Sequence, residues 1–96
     1  MKRPLARFTP EAARLISAMH PEIKAMIRLA IDDLRANPLL GDDLHDELSG
    51  FKSYKPNRYR IIYKFAEEQN VVDVYYVGHR RDVYVQFGKM LRELQP

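Results

Sequence analysis

Basic and aromatic side chains in the second half of the chain are the residues whose types and spacing could do chemistry. They are Lys52, Lys55, Arg58, Arg60, Lys64, His79, Arg80, Arg81 and Tyr84. Arginine binds phosphate oxygens through a planar fork of N–H donors, and an aromatic ring can hold an unstacked base. A lysine surrounded by other cations has a depressed pKa and could serve as a base. This set could cleave RNA without a metal, because that reaction needs a base for the 2′-OH, positive charge on the phosphorane and an acid for the 5′-oxygen.

Other catalytic arrangements find no support in the residue types. The chain contains no cysteine, which excludes a thiol nucleophile, a disulfide framework and a thiolate metal site. Ser17 and Ser49 lack a spaced His/Asp context, and the histidines share no metal-ligand spacing with a carboxylate. An acidic cluster could bind a hard cation, but a solvated loop is favoured; it comprises Asp42, Asp43, Asp46 and Glu47. We therefore expect no metal and no cofactor.

Each candidate side chain also has a purely structural interpretation. Arg60 could be a surface arginine of a strand, and the two arginines that follow His79 could pair with Asp73 or Asp82. Tyr84 could belong to the core. Histidine is a residue type that suits acid or base work near neutral pH, but His79 could equally pack its ring on the sheet as a turn residue. The residues alone leave these alternatives open.

Length and composition place the chain among globular proteins. Its 96 residues, 46% hydrophobic and 30% charged, predict one domain over residues 1–96. No apolar run approaches the roughly 20 residues that span a bilayer, and no apolar stretch follows Lys2 and Arg3, so no signal peptide is predicted. A cytoplasmic protein without a membrane partner is expected.

The charge distribution separates the two halves. Residues 1–50 hold seven Lys/Arg and eight Asp/Glu, whereas residues 51–96 hold nine and five. A basic half beside a neutral half indicates one surface for an anionic partner, most commonly nucleic acid. A solubilising surface is the alternative, and charge alone does not decide between them.

The elements that must position these residues begin with two amphipathic helices. A short strand is predicted over residues 5–9, and Thr9-Pro10-Glu11 combines a cap, a first-turn proline and an acid at the helix dipole. Apolar residues then recur at helical spacing up to Pro21 and again until Asn37-Pro38. The two segments predict an αα-hairpin.

After a predicted loop over residues 38–50, the apolar residues no longer recur at helical spacing but at every second position, as in a strand. Strands are predicted over residues 51–55, 58–65 and 71–77, and a closing helix follows from Val83. The predicted fold is α+β: an N-terminal strand, a two-helix hairpin packed on an antiparallel sheet of about four strands, and a short C-terminal helix. The hairpin is expected to cover one sheet face and to leave open the other face, or part of it, where Arg60 and Lys64 lie. Gly78 is expected to end the last strand and turn the following residues back toward Arg60.

Two stretches carry a family resemblance. The segment from Arg58 to Tyr63 (Arg-Tyr-Arg-Ile-Ile-Tyr), followed by an acidic turn, a valine-rich strand and the segment from Val77 to Tyr84, resembles the RelE/ParE toxin superfamily. The helical hairpin before them matches as well, so the resemblance covers nearly the whole chain. RelE-type members are ribosome-dependent mRNA endonucleases that work without metal and use the 2′-OH as nucleophile.

The resemblance implies roles for individual residues. Arg60 resembles the arginine that stabilises the transition state, Arg80 the arginine near the scissile phosphate, and Tyr84 the aromatic that stacks on an mRNA base. Lys52 resembles one of two lysines that act as base and phosphate clamp, and Lys55 is the choice for the second. Supporting RNA contacts are expected from Arg58, Lys64, His79 and Arg81.

The resemblance also implies partners and alternatives. A cognate acidic antitoxin of RelB type, the ribosome and mRNA are the expected partners, with operator DNA reached only through the antitoxin. ParE-type members share the fold but poison DNA gyrase, and an inactive relative would only bind its antitoxin. The lysines at the start of the sheet and the tyrosine before the closing helix favour the RelE branch.

Overall fold

The computed structural model describes residues 2–94. In chain order its elements are β1 (Leu5–Phe8), α1 (Pro10–Ser17), α2 (Pro21–Ala36), β2 (Asp42–Asp43), a 3₁₀ turn (Asp46–Leu48), β3 (Lys52–Tyr54), β4 (Tyr59–Ala66), β5 (Val71–His79) and α3 (Val83–Leu94).

The five strands form one mixed sheet in the order β1-β5-β4-β3-β2. Only β1 runs parallel to its neighbour β5, and the other pairs are antiparallel. The predicted α+β class is confirmed, with two differences in the sheet. The helical hairpin carries the chain across the sheet between β1 and the later strands, which allows a parallel pair. In addition, β2 adds a fifth strand of two acidic residues, a composition that does not signal a strand.

The helical hairpin forms as its caps and spacing predict. The Thr9 hydroxyl accepts a hydrogen bond from the Ala12 N–H (3.1 Å), and His20 caps α2 by accepting from the Glu22 N–H through Nδ1 (3.2 Å). The buried stripe of α2 packs on one side of the sheet, here called the hairpin face. That side buries Ile27, Ala30, Ile31 and Leu34 of α2 against Ile61, Tyr63, Val72, Val74 and Val77.

The opposite side of the sheet is open only in part, since Arg60 and Lys64 on it are half-exposed while a helix covers another part. α3 packs on it, and we call it the α3 face; its buried cluster comprises Leu48, Phe51, Ile62, Tyr76, Val83 and Phe87. The Phe87 ring lies edge-on to Phe51, with centroids 5.0 Å apart. An ion pair between Arg92 and Glu47 (2.9 Å) ties α3 to the 3₁₀ turn. The apolar stripe of α3 covers this face because an amphipathic helix must bury its stripe somewhere.

Gly78 lies inside β5, which continues to His79. The prediction that Gly78 ends the strand was therefore wrong. A Cβ atom at this position would lie 3.2 Å from Cγ2 of Val83, the first residue of α3. The glycine is thus needed for the close approach of α3 to the sheet.

Residues 38–50 are more ordered than the predicted loop, since they contain β2 and the 3₁₀ turn. The fully buried Tyr63 holds the first part of this segment. Its hydroxyl donates to the Pro38 carbonyl (2.7 Å) and accepts from the Gly41 N–H (2.9 Å). Burial raises the pKa of the Tyr63 hydroxyl above its usual value.

Candidate functional site

Arg60 lies on the α3 face, near the start of β4. It pairs with Gly78 across the sheet, while the flanking Tyr59 and Ile61 point into the hairpin cluster. The Arg60 Nη1 donates to the carbonyls of Asn57 (3.1 Å) and Tyr59 (2.7 Å). Those bonds hold the guanidinium. Among residues 2–94 the Nε and Nη2 donors have no hydrogen-bond partner, and they form the edge that binds a phosphate bidentately.

Three further arginines gather at the same end of the β4–β5 pair. The Arg80 N–H donates to the Arg58 carbonyl (2.8 Å), which extends the ladder by one step beyond the Tyr59–His79 pair. Arg81 follows directly in the turn before α3. We call Arg58, Arg60, Arg80 and Arg81 the arginine corner. The structure thus brings together arginines that are about twenty positions apart in the sequence.

The positive charge of the arginine corner is not neutralised locally. Within residues 2–94, no ion pair engages any of its four guanidinium groups. Asp73, a candidate partner for Arg80 or Arg81, instead binds Arg7 of β1 through two hydrogen bonds of 2.6 and 3.0 Å. The corner can therefore attract an anion at close range.

Tyr84 follows the arginine corner three positions after Arg81, at the start of α3. It is half-buried and packs against the α3-face cluster without being enclosed by it. Its hydroxyl oxygen lies 2.8 Å from the Ser53 hydroxyl oxygen of β3. Ser53 is 1% exposed and was missed by the sequence analysis. Its signal was available in the alternation that places Ser53 on the same face as Phe51.

The two lysines of the β3 region lie on opposite faces of the sheet. Ser53 pairs with Ile62, an α3-face residue, whereas Lys52 pairs with Tyr63 of the hairpin face. By alternation, position 55 belongs to the side of Ser53. The structure therefore does not bring Lys52 to the arginine corner, and Lys55 is the lysine on the side of Arg60.

Each of the two lysines forms an ion pair with one aspartate of β2. The Lys52 Nζ lies 2.7 Å from Asp43, and the Lys55 Nζ lies 3.0 Å from Asp42. The hydrogen bond to Asp43 raises the pKa of Lys52 above its usual value, and the same bond from Lys52 lowers the pKa of Asp43. This shift is opposite to the depression predicted for a lysine in a basic cluster, and it disfavours Lys52 as a base.

Lys64 lies apart from the arginine corner, whereas His79 borders it on the hairpin face of the sheet. Lys64 is four residues along β4 from Arg60, about 13 Å away, and its Nζ lies 4.3 Å from the centre of the Phe51 ring. His79 pairs with Tyr59, and the two rings meet edge to face with centroids 5.8 Å apart. The His79 Nδ1 accepts from the Arg81 N–H (3.3 Å). The ring therefore packs on the sheet and supports the turn.

Three of the four carboxylates in the acidic cluster form ion pairs with cations from other elements. Its three ion pairs are Asp42–Lys55, Asp43–Lys52 and Glu47–Arg92. In the part of the chain that the structure describes, no three His, Asp or Glu side chains are grouped closely enough to hold a metal ion. Likewise, no helix within residues 2–94 is long and apolar enough to cross a membrane.

Comparison with known proteins relates this arrangement to a family. Residues 5–84 match the family model described as the ParE toxin of the type II toxin–antitoxin system, parDE. The chain belongs to the RelE/ParE toxin superfamily. The match spans the sheet, the helical hairpin and the arginine corner, and it ends at Tyr84.

Individual relatives agree with this membership. Toxin RelG of Mycobacterium tuberculosis is 36% identical to this toxin over 80 residues, which cover 81% of this chain and 92% of RelG. The RelBE2 toxin–antitoxin complex of the same organism contains a chain that is 34% identical, with a TM-score of 0.74 over 81% of this toxin and 99% of that chain. The isolated RelE toxin of E. coli, at 17% identity, shares the fold alone, with a TM-score of 0.70 over 95% and 99% of the two chains. The protein is thus a type II toxin with a RelE-like fold.

Proposed function

We propose that this toxin is an endoribonuclease that cleaves translated mRNA on the ribosome and thereby inhibits translation. The observation that carries the proposal is the arginine corner, whose cations have no carboxylate partner within residues 2–94. The half-buried Tyr84 follows Arg81 by three positions, at the start of α3. Such a surface combines phosphate binding with a platform for one base. This is the activity that the resemblance to RelE-type toxins implies.

The chemical step assigns one task to each group. Arg60 offers its free Nε and Nη2 donors to the phosphorane that forms when the 2′-OH attacks in line. Arg80 stabilises charge at the scissile phosphate or protonates the 5′-oxygen, and Tyr84 stacks on an mRNA base. Lys55, which lies on the side of Arg60, is the proposed base: it takes the proton of the 2′-OH as the bond from the 2′-oxygen to phosphorus forms and the bond from phosphorus to the 5′-oxygen breaks. Lys52 takes no part in this scheme.

The remaining basic residues divide into two groups. Arg58 and Arg81 belong to the arginine corner and are proposed to bind flanking phosphates. Lys64 lies about 13 Å along β4 from Arg60 and could contact RNA or the ribosome only at a distance from the scissile bond, whereas His79 lies in the turn of the corner with its ring on the hairpin face. No metal ion or cofactor enters the proposed reaction.

A cognate acidic antitoxin is the proposed inhibitor, and the M. tuberculosis relative is itself described in a toxin–antitoxin complex, RelBE2. Besides the arginine corner, a groove of about 370 Å³ between β1 and α2 offers an apolar floor with Ile27 and Ile31. Lys24, Arg28 and Arg35 also line this groove, which suits an acidic segment with apolar side chains. Operator DNA would be reached only through the antitoxin.

Poisoning of DNA gyrase is the second candidate function. The family model that matches residues 5–84 is described as a ParE toxin, and ParE-type members act on gyrase. This function would not require a group that transfers protons, and the arginine corner would then bind an anionic or acidic part of gyrase. Intact mRNA with trapped DNA breaks would support it.

Expression of the wild-type chain beside Arg80→Ala tests the proposal. We expect wild type to arrest growth and to produce new mRNA 5′ ends within translated frames, while Arg80→Ala produces neither. Arg14→Ala is the matched control, because Arg14 is an exposed arginine of α1 paired with Glu11. Growth arrest without new 5′ ends would reject the nuclease, and a supercoiling assay would then examine gyrase. Unchanged growth with antitoxin binding would indicate an inactive relative.

A further inference from the structure

Ser53 places a hydroxyl group inside an apolar cluster. It is 1% exposed and lies on the α3 face, where its strand partner is the fully buried Ile62. A buried hydroxyl without a hydrogen-bond partner costs stability, so its partner matters. The Ser53 hydroxyl meets the Tyr84 hydroxyl, with the two oxygens 2.8 Å apart.

The hydrogen bond joins two elements that have no covalent connection nearby. Ser53 is in the middle of β3, and Tyr84 is the second residue of α3, 31 positions later. Tyr84 is anchored at its outer end by this bond, while the adjacent Val83 is packed over Gly78 at its inner end. The tyrosine ring is therefore restrained both by its backbone and by its hydroxyl group.

We propose that Ser53 is a positioning residue that holds the Tyr84 ring as a preformed platform for an RNA base. The inference rests on the proposed nuclease function and adds a residue to its site. A tyrosine that is already ordered loses less side-chain entropy when a base stacks on it. The Ser53 hydroxyl thus contributes to RNA binding without contacting RNA.

A purely structural role makes a different prediction. If the bond only tethered α3 to the sheet, Ser53→Ala and Tyr84→Phe would each lower the thermal stability and the fraction of active toxin, which lowers the maximal cleavage rate at an unchanged half-saturating toxin concentration. If Ser53 acts through the Tyr84 hydroxyl, Ser53→Ala and Tyr84→Phe have the same effect. Their combination then has no additional effect, because both substitutions remove one bond.

Positioning by Ser53 is tested with Ser53→Ala, Tyr84→Phe and the double variant. For each, single-turnover cleavage of mRNA in programmed ribosomes is measured as a function of toxin concentration. We expect each to raise the half-saturating toxin concentration about two- to ten-fold, with little change in the maximal rate. Tyr54→Phe is the matched control, because it removes a tyrosine hydroxyl bonded to Asp33 on the hairpin face. Additive effects of Ser53→Ala and Tyr84→Phe would overturn the proposal.

A second readout does not depend on activity. Carbon-13 relaxation of the Tyr84 ring should show a lower order parameter in Ser53→Ala than in wild type, with the other tyrosine rings unchanged. An unchanged Tyr84 ring would refute positioning even if RNA cleavage fell. If wild type cleaves no RNA but the ring loosens in Ser53→Ala, the nuclease function is wrong while the restraint on Tyr84 stands.

Discussion

Lys52 and Arg60 lie on opposite faces of the sheet. Lys52 pairs with Tyr63 of the hairpin cluster, whereas Arg60 pairs with Gly78, over which Val83 of α3 is packed. Two residues with complementary chemistry on neighbouring strands are therefore separated by the thickness of the sheet. Lys55 and Arg60 are the lysine and arginine that share a side.

Substitutions of Arg60 should show whether cleavage depends on its positive charge alone or also on the geometry of its guanidinium group. Arg60→Ala is expected to slow mRNA cleavage a few hundred-fold, about 3–4 kcal/mol of lost transition-state stabilisation. Arg60→Lys should recover only part of the rate, because an ammonium group cannot offer two parallel N–H donors. Rates come from single-turnover cleavage, with Arg14→Ala as the control. Full activity of Arg60→Lys would show that a point charge is sufficient.

The two lysines should differ in their effect on cleavage. Lys55→Met is expected to lower the cleavage rate by about a hundred-fold or more if the amine acts on a proton or phosphate in the transition state. Lys52→Met should leave the rate within about three-fold of wild type, since it removes only an exposed ion pair with Asp43, a kind of contact that contributes little. The two variants are compared in the same cleavage assay. A larger loss in Lys52→Met than in Lys55→Met would contradict the face assignment.

Tyr63→Phe should destabilise the fold without affecting the site chemistry. The substitution leaves the Pro38 carbonyl and the Gly41 N–H without their hydroxyl partner, which we expect to lower the free energy of unfolding by about 1–3 kcal/mol. Urea denaturation at neutral pH measures this. A change below about 0.5 kcal/mol would show that water replaces the hydroxyl group.

Alkaline pH should reduce the stability that Tyr63 contributes to the fold. Burial raises the pKa of Tyr63 in the folded state, so the unfolded chain releases this proton at a lower pH than the folded chain does. Stability from this group is therefore fully present below about pH 10 and decreases as pH rises through the folded pKa. Unfolding free energies between pH 8 and pH 11 should fall less steeply in Tyr63→Phe than in wild type. Parallel curves would exclude this tyrosine as the cause.

Gly78→Ala should disturb the start of α3. The new Cβ would lie 3.2 Å from Cγ2 of Val83, and crowding of this kind typically costs about 1–3 kcal/mol. It should also weaken cleavage, because Tyr84 follows Val83. Adding Val83→Ala to Gly78→Ala should recover part of the cleavage activity by relieving the clash. Stability and cleavage are measured for both single variants and the double variant; strictly additive losses would mean that the two residues do not interact.

Local sequence signals were sufficient for the helices and the two long strands. Thr9 and Pro10 start α1, and the apolar stripe of α2 follows because capping and amphipathic spacing act over a few residues. The face of Arg60 was also predictable. In this eight-residue strand Tyr59, Ile61 and Tyr63 alternate with Arg60 and Lys64, so residue type alone places the two basic side chains on the opposite face.

The position of α3 and the partner of Ser53 were not predictable from the same signals. The apolar stripe of α3 indicates that the helix packs on something, but not on which face of the sheet. Likewise, nothing in a serine within a strand indicates a tyrosine 31 residues later. Both features depend on contacts between elements that are distant in the chain.

The sequence by itself determined the α+β class, the hairpin, the β4–β5 pair and a group of arginines near one end of that pair. Only the tertiary structure decided which side each lysine takes. The β3 strand has three residues, and its faces are set by its register with β4 and by the ion pairs that Asp42 and Asp43 form on either side. A shift of one residue in that register would exchange Lys52 and Lys55 between faces, and pairing with a neighbouring strand, rather than local preference, prevents that shift.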